Sequence, residues 1–142
     1  MLRRHLRSGL AATAAFVLMF AALPAGQTTS LGQVRLPRAV VANGGTLTAG
    51  TYAVRVTSDA VPPVVGQTPS ESRWVEFLQG GQVKGKELAT VLTAAELSQI
   101  SESARPAAGT AKVELLKGND YVRVWINHGG TNYLVHLAVA GQ

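Results

Sequence analysis

The side chains best suited to chemistry in this chain are two histidines, His128 and His136, and two tryptophans, Trp74 and Trp125. A histidine held beside a serine and an acid could serve a hydrolase as general base. The serines nearest an acid in sequence, Ser70-Glu71-Ser72 and Ser101-Glu102-Ser103, fall with Asp59 in expected loops, and no Gly-x-Ser-x-Gly elbow occurs. Carboxylate pairs for glycoside chemistry would come from Asp59, Glu71, Glu76, Glu87, Glu114 and Asp120. Of these, Glu76 and Glu87 have basic partners in the strand register derived below. No catalytic residue is assigned, and a small exported hydrolase using His136 or His128 stands as the alternative reading. A metal site is not expected: cysteine is absent, and His136 faces Arg123, whose charge opposes a bound cation. Gly44-Gly45, Gly80-Gly81 and Gly129-Gly130 lack the spacing and following helix of a nucleotide loop. They read as hairpin turns that need positive backbone angles, so no cofactor is expected either.

A binding surface has more support. Trp74, Tyr121 and Trp125 fall on strand faces not committed to the core, with Lys86 and Arg123 beside them. Flat aromatics next to long cationic side chains can stack on a sugar, a peptide or a polyanion. These five residues are the candidate ligand-binding set. The competing reading buries both tryptophans beneath the single helix or the long Pro-rich loop.

The elements that must position these residues follow an N-terminal segment of another kind. Arg3, Arg4 and Arg7 precede an uncharged run from Ser8 to Leu23 rich in Ala, Leu, Phe and Val, which ends at Pro24-Ala25-Gly26. This is the layout of a secretory signal peptide, cleaved after Ala25. Export would place the mature domain in the periplasm or outside the cell, touching membrane only through this segment before cleavage. Without it the chain keeps ten Lys or Arg against eight acids, a net of +2, so its basic character points to no nucleic-acid partner. The reading is a non-enzymatic domain that either binds a ligand or partner, for which an envelope protein or glycan is the candidate, or serves a structural role in the cell envelope. The absence of cysteine leaves such a domain to be held by its core alone.

Residues 26–33 read as a flexible leader and 34–142 as one β-rich domain. Leu36 and Val40-Val41 suggest a first strand at an edge, because of Pro37. Thr51 to Thr57 alternates cleanly, with Tyr52, Val54 and Val56 on one face. Ser58 to Ser72 holds Pro62, Pro63 and Pro69 and reads as a long crossover pinned by Val61, Val64 and Val65. A hairpin follows around Gly80-Gly81. A three-residue loop there would set Phe77 against Val83, Glu76 against Lys84, Trp74 against Lys86 and Arg73 against Glu87. Thr93 to Ile100 reads as a helix with Thr93 and Glu96 forming a capping box. Lys112 to Lys117 is a strand, and Asp120 to Ala140 a hairpin about Gly129-Gly130. That turn sets Val122, Val124 and Ile126 against Leu137, Val135 and Tyr133, and Tyr121, Arg123 and Trp125 against Ala138, His136 and Leu134. Six to eight strands with local connections predict an all-β antiparallel sandwich or small barrel with one short helix. A barrel could also enclose a small apolar ligand.

The stretch Thr46-Leu47-Thr48-Ala49-Gly50-Thr51-Tyr52-Ala53-Val54 resembles the Leu-x-Ala-Gly-x-Tyr-x-Val element of small exported bacterial β-domains, among them prealbumin-like and Cna-B-like sandwich modules. The resemblance implies an exported β-domain with this element at a turn between strands and Tyr52 in the core. It supplies no catalytic residues.

Overall fold

The computed structural model describes residues 26–63, 65–66 and 71–141. The expected signal peptide, residues 1–25, and Val64 lie outside the described residues. The domain is all-β. Its strands are β1 (Thr28–Leu36), β2 (Val40–Ala42), β3 (Gly45–Leu47), β4 (Gly50–Thr57), β5 (Ser72–Gln79), β6 (Gln82–Val91), β7 (Thr110–Leu115), β8 (Tyr121–His128) and β9 (Thr131–Val139). One short helix, α1 (Ala94–Ser98), and a single 3-10 turn at Glu102–Ala104 lie between β6 and β7. All described strands join one antiparallel sheet, and nine strands replace the six to eight expected because β2 and β3 are only three residues each.

The order β1-β4-β5-β6-β9 continues on the far side of β9 to β8 and β7. The near side of β9 is shared: Thr90 and Val91 of β6 pair with Leu134 and Tyr133, while Val40 and Val41 of β2 pair with Val139 and Ala138. Strand β6 therefore diverges from β9, and the β2–β3 hairpin wedges into the gap. The sheet curls until β1 lies against β7 and β8. No ladder joins β1 to β7 among the described residues, so the sheet is not closed into a barrel. This corrects the barrel alternative: the interior is packed side chain, with Val75, Phe77, Val122, Val124, Val135 and Leu137 fully buried.

Alternation dictates that core. Tyr52, Val54 and Val56 point in from β4, and Val122, Val124 and Ile126 meet Leu137, Val135 and Tyr133 across the β8–β9 hairpin in the expected register. The buried Tyr52 hydroxyl needs a partner and donates to the Thr48 carbonyl (2.8 Å), tying the turn to the strand it enters. Its ring meets Phe77 edge-on, with centroids 6.4 Å apart.

Two expectations give way. Residues 28–33 are not a loose leader but the first part of β1, which pairs along β4 from Thr28↔Thr57 to Leu36↔Gly50. A bulge between Ser30 and Gly32 turns Leu31 inward, and Gly32 accepts it at φ +106°. The polar composition of the stretch hides this, because within it only Leu31 faces the core. The Pro-rich connection also differs, since Val65 stands fully exposed instead of pinning the loop.

The β5–β6 register differs from the one expected. Gly80 and Gly81 form a two-residue turn with both φ positive, and a bulge at Lys84 then shifts the ladder to Phe77↔Gly85, Glu76↔Lys86 and Trp74↔Leu88. The reason lies in the wedge. A Cβ on Gly85 would stand 2.9 Å from Leu47 Cδ2 and 3.5 Å from the Ala42 side chain, so the bulge brings the residue without a side chain to where the β2–β3 hairpin enters the core. Gly85→Val should therefore destabilise the fold by about 1–3 kcal/mol through overpacking. In urea unfolding, combining it with Leu47→Ala should cost less than the sum of the two single changes; simple additivity would refute the wedge contact.

Candidate functional site

With one side of every strand committed to the core, the candidate side chains stand on the outer face. On β5, Val75 and Phe77 turn in, which leaves Trp74, Glu76 and Leu78 outward. Arg55, Glu76 and Lys86 form one row across β4, β5 and β6. Glu76 is claimed from one side only: Arg55 Nε donates to its Oε2 at 2.5 Å. Lys86, although opposite the same acid, lies diagonally over Trp74 with Nζ 4.5 Å from the ring centroid. An ammonium over an indole face is stabilised by the ring's quadrupole by roughly 0.5–1 kcal/mol at an exposed site. Trp74 is half-buried, and its Nε1 donates to the Ala60 carbonyl (3.2 Å), which ties the start of the Pro-rich connection to the ring edge.

Trp125 has a different fate. Its side chain is on the outer face of β8, yet the residue is only 5% exposed. Nε1 donates to Asn132 Oδ1 (2.8 Å), and Asn132 is buried as well. The chain between β6 and β7 straps this end of the sheet. Leu92 N–H donates to the Asn132 carbonyl (3.0 Å), Asn127 Nδ2 to the Pro106 carbonyl (3.1 Å), and Gly109 N–H to the Asn127 carbonyl (2.8 Å). The helix within the strap starts with the expected capping box: Glu96 N–H donates to Thr93 Oγ1, and Thr93 N–H to the Glu96 carboxylate. Arg105 closes its other end by donating to the Leu97 and Ile100 carbonyls. Of the two tryptophans, then, the strap removes Trp125 from the surface and leaves Trp74. Asn127 and Asn132, which hold the strap, were not singled out from sequence; the available signal was polar amides on an outer face flanking an indole.

The remaining candidates sit where the sequence placed them. Tyr121 is 49% exposed opposite Ala138, and Glu114, Arg123 and His136 form a row across β7, β8 and β9. Arg123 Nε (3.1 Å) and Nη2 both reach Glu114 Oε2, while Lys112 Nζ pairs with Oε1 at 3.0 Å. Hydrogen bonds from Arg123 first and Lys112 second hold the Glu114 carboxyl below its ordinary range. Burial, followed by the charge of Arg123, lowers the His136 imidazole from its ordinary 6.5. Among the described residues, which do not include Ser70, neither histidine is brought into a catalytic pair: His136 faces Arg123, and His128 is exposed at the Gly129-Gly130 turn opposite Thr131. Among the described residues no three His, Cys, Asp or Glu side chains gather as a metal ion would require.

Comparison with family models finds no match to the chain, and neither a curated protein nor a solved structure matches it.

Two measurements test this arrangement. Asn132→Ala leaves the Trp125 N–H buried without an acceptor and should cost about 1–3 kcal/mol in urea unfolding, with a change in the buried indole's emission. The titrations share one sign. Both folded-state values lie below the unfolded ones, so the unfolded chain binds more protons and stability rises with pH. The contribution of His136 is intact above its ordinary 6.5 and is lost as pH falls through the lowered folded value; that of Glu114 is lost in the same way below its ordinary 4.5. The urea midpoint should fall between about pH 7 and 5 in the wild type and fall less in His136→Gln. Parallel curves would remove the assigned role.

Proposed function

We propose that this chain is exported and that its mature domain binds a ligand or envelope partner through the outer face of its sheet, without catalysing a reaction. Export is supported by the arginines at positions 3, 4 and 7, the apolar run after them and the small residues at Ala25-Gly26. A β-sandwich is the architecture we favour, since the curled sheet brings β1 back to β7 and β8 and its inward side chains form one apolar cluster. The observation that carries the binding reading is Trp74, a half-buried indole on the outer face of β5 with Lys86 over it. An indole left on a surface with its N–H already satisfied offers a flat apolar face and has no packing role on that side. Tyr121 and Arg123 are a flanking patch on the other half of the sheet, and Trp125 serves the fold.

The two tryptophans make the test specific, because only Trp74 can respond to a surface ligand. Protein recovered from the exported fraction, with an intact mass corresponding to a start at Gly26, is titrated with envelope glycans and envelope proteins while tryptophan emission is followed. Wild-type emission should shift or quench with a saturable dependence, and Trp74→Phe should abolish the response while leaving the Trp125 signal. A wild-type protein silent to the whole panel, or a response preserved in Trp74→Phe, would sink the reading.

A further inference from the structure

The outer face is unevenly charged. Alternation and register put Arg35 of β1, Arg55 of β4, Lys86 of β6, Lys112 of β7 and Arg123 of β8 on it, against only Glu76 and Glu114. Both acids are already engaged, Glu76 by Arg55 and Glu114 by Arg123 and Lys112. The remaining acids are not in the strand rows of this face: Asp59, next to the Ala60 that meets the Trp74 ring edge, and Glu71, Glu96, Glu102 and Asp120 lie outside the strands, and Glu87 faces the β2–β3 turn, where it accepts from Asn43 N–H at 2.8 Å. Among the described residues Lys86 makes no salt bridge: it stands opposite Glu76, whose carboxylate Arg55 holds, and its ammonium lies over the Trp74 indole.

We infer that the ligand of the Trp74–Lys86 surface is an acidic polysaccharide, a sugar polymer bearing carboxylate groups. The inference rests on the binding reading above and adds the chemical class. Lys86 rests on Trp74 in the free protein, where the cation–π contact replaces a missing counter-ion. A carboxylate on a sugar is a better partner, and as Lys86 turns to it the vacated indole face becomes free to stack on the sugar ring. A peptide fits less well, because peptide recognition uses a free sheet edge or a groove. Trp74 offers neither, since β5 is paired on both sides by β4 and β6.

Polygalacturonate and its fully methyl-esterified form share one backbone and differ in charge, which makes them the discriminating probes. Polygalacturonate should quench or shift Trp74 emission saturably, and about 0.5 M salt should weaken the response by screening. Lys86→Gln should weaken binding roughly three- to fivefold, the worth of an exposed charge pair. The ester should bind less tightly than the acid and be indifferent to Lys86→Gln. Equal binding of acid and ester, unchanged by Lys86→Gln, would overturn the acidic class while leaving the binding surface standing. Silence to both polymers overturns the glycan assignment, and the wider panel of glycans and proteins then decides the binding reading separately. Circular dichroism of each variant, with the emission of buried Trp125 as internal reference, separates loss of binding from loss of fold.

Discussion

Everything in this domain depends on the two-residue period of its strands being honoured by one continuous apolar cluster. Residues from Leu31 on β1 to Val139 on β9 contribute their inward side chains to it, and none of the described strands lacks a member in, or packed against, that cluster. Large buried side chains contribute roughly 1.5–3 kcal/mol each. Without a disulfide, no other interaction described in the domain has that scale. The salt bridges are partly exposed pairs on the outer face, where the median worth is about 0–1 kcal/mol. They organise the surface but do not hold the sheet together.

A curled sheet that does not close leaves its openings to be filled, and two local devices fill them. The β2–β3 hairpin enters where β6 leaves β9, and Gly85 gives Leu47 the space to reach the core. The strap between β6 and β7 covers the outer end of β8 and β9, held by backbone and amide hydrogen bonds from Asn127 and Asn132. Both devices shape the outer face indirectly. The first fixes the bulge at Lys84, which moves Lys86 into the row of Arg55 and Glu76. The second takes Trp125 out of reach of any ligand.

The contrast between the two tryptophans is therefore a matter of what crosses over them. Trp74 meets the loop after β4 at its ring edge, where Nε1 donates to the Ala60 carbonyl. Trp125 is covered and has a buried amide as acceptor. With both acids of the outer face held by arginines, the surface near Trp74 is left with an ammonium whose close contact is the indole itself.

The amino-acid sequence by itself determined what depends on near neighbours. The β8–β9 register, from His128↔Thr131 to Tyr121↔Ala138, follows from a two-residue glycine turn and the alternation on either side of it. The capping box at Thr93 and Glu96 and the inward Tyr52 follow from spacings of a few residues. Tertiary structure alone decided the rest, since the partners are far apart in the chain. The Lys84 bulge answers to Leu47, the strand character of 28–33 to β4, and the burial of Trp125 to Asn132 and the strap near Pro106. A turn carries its own geometry in two glycines, whereas a missing Cβ or an exposed indole has meaning only once the remote segment that approaches it, or leaves it bare, is in place.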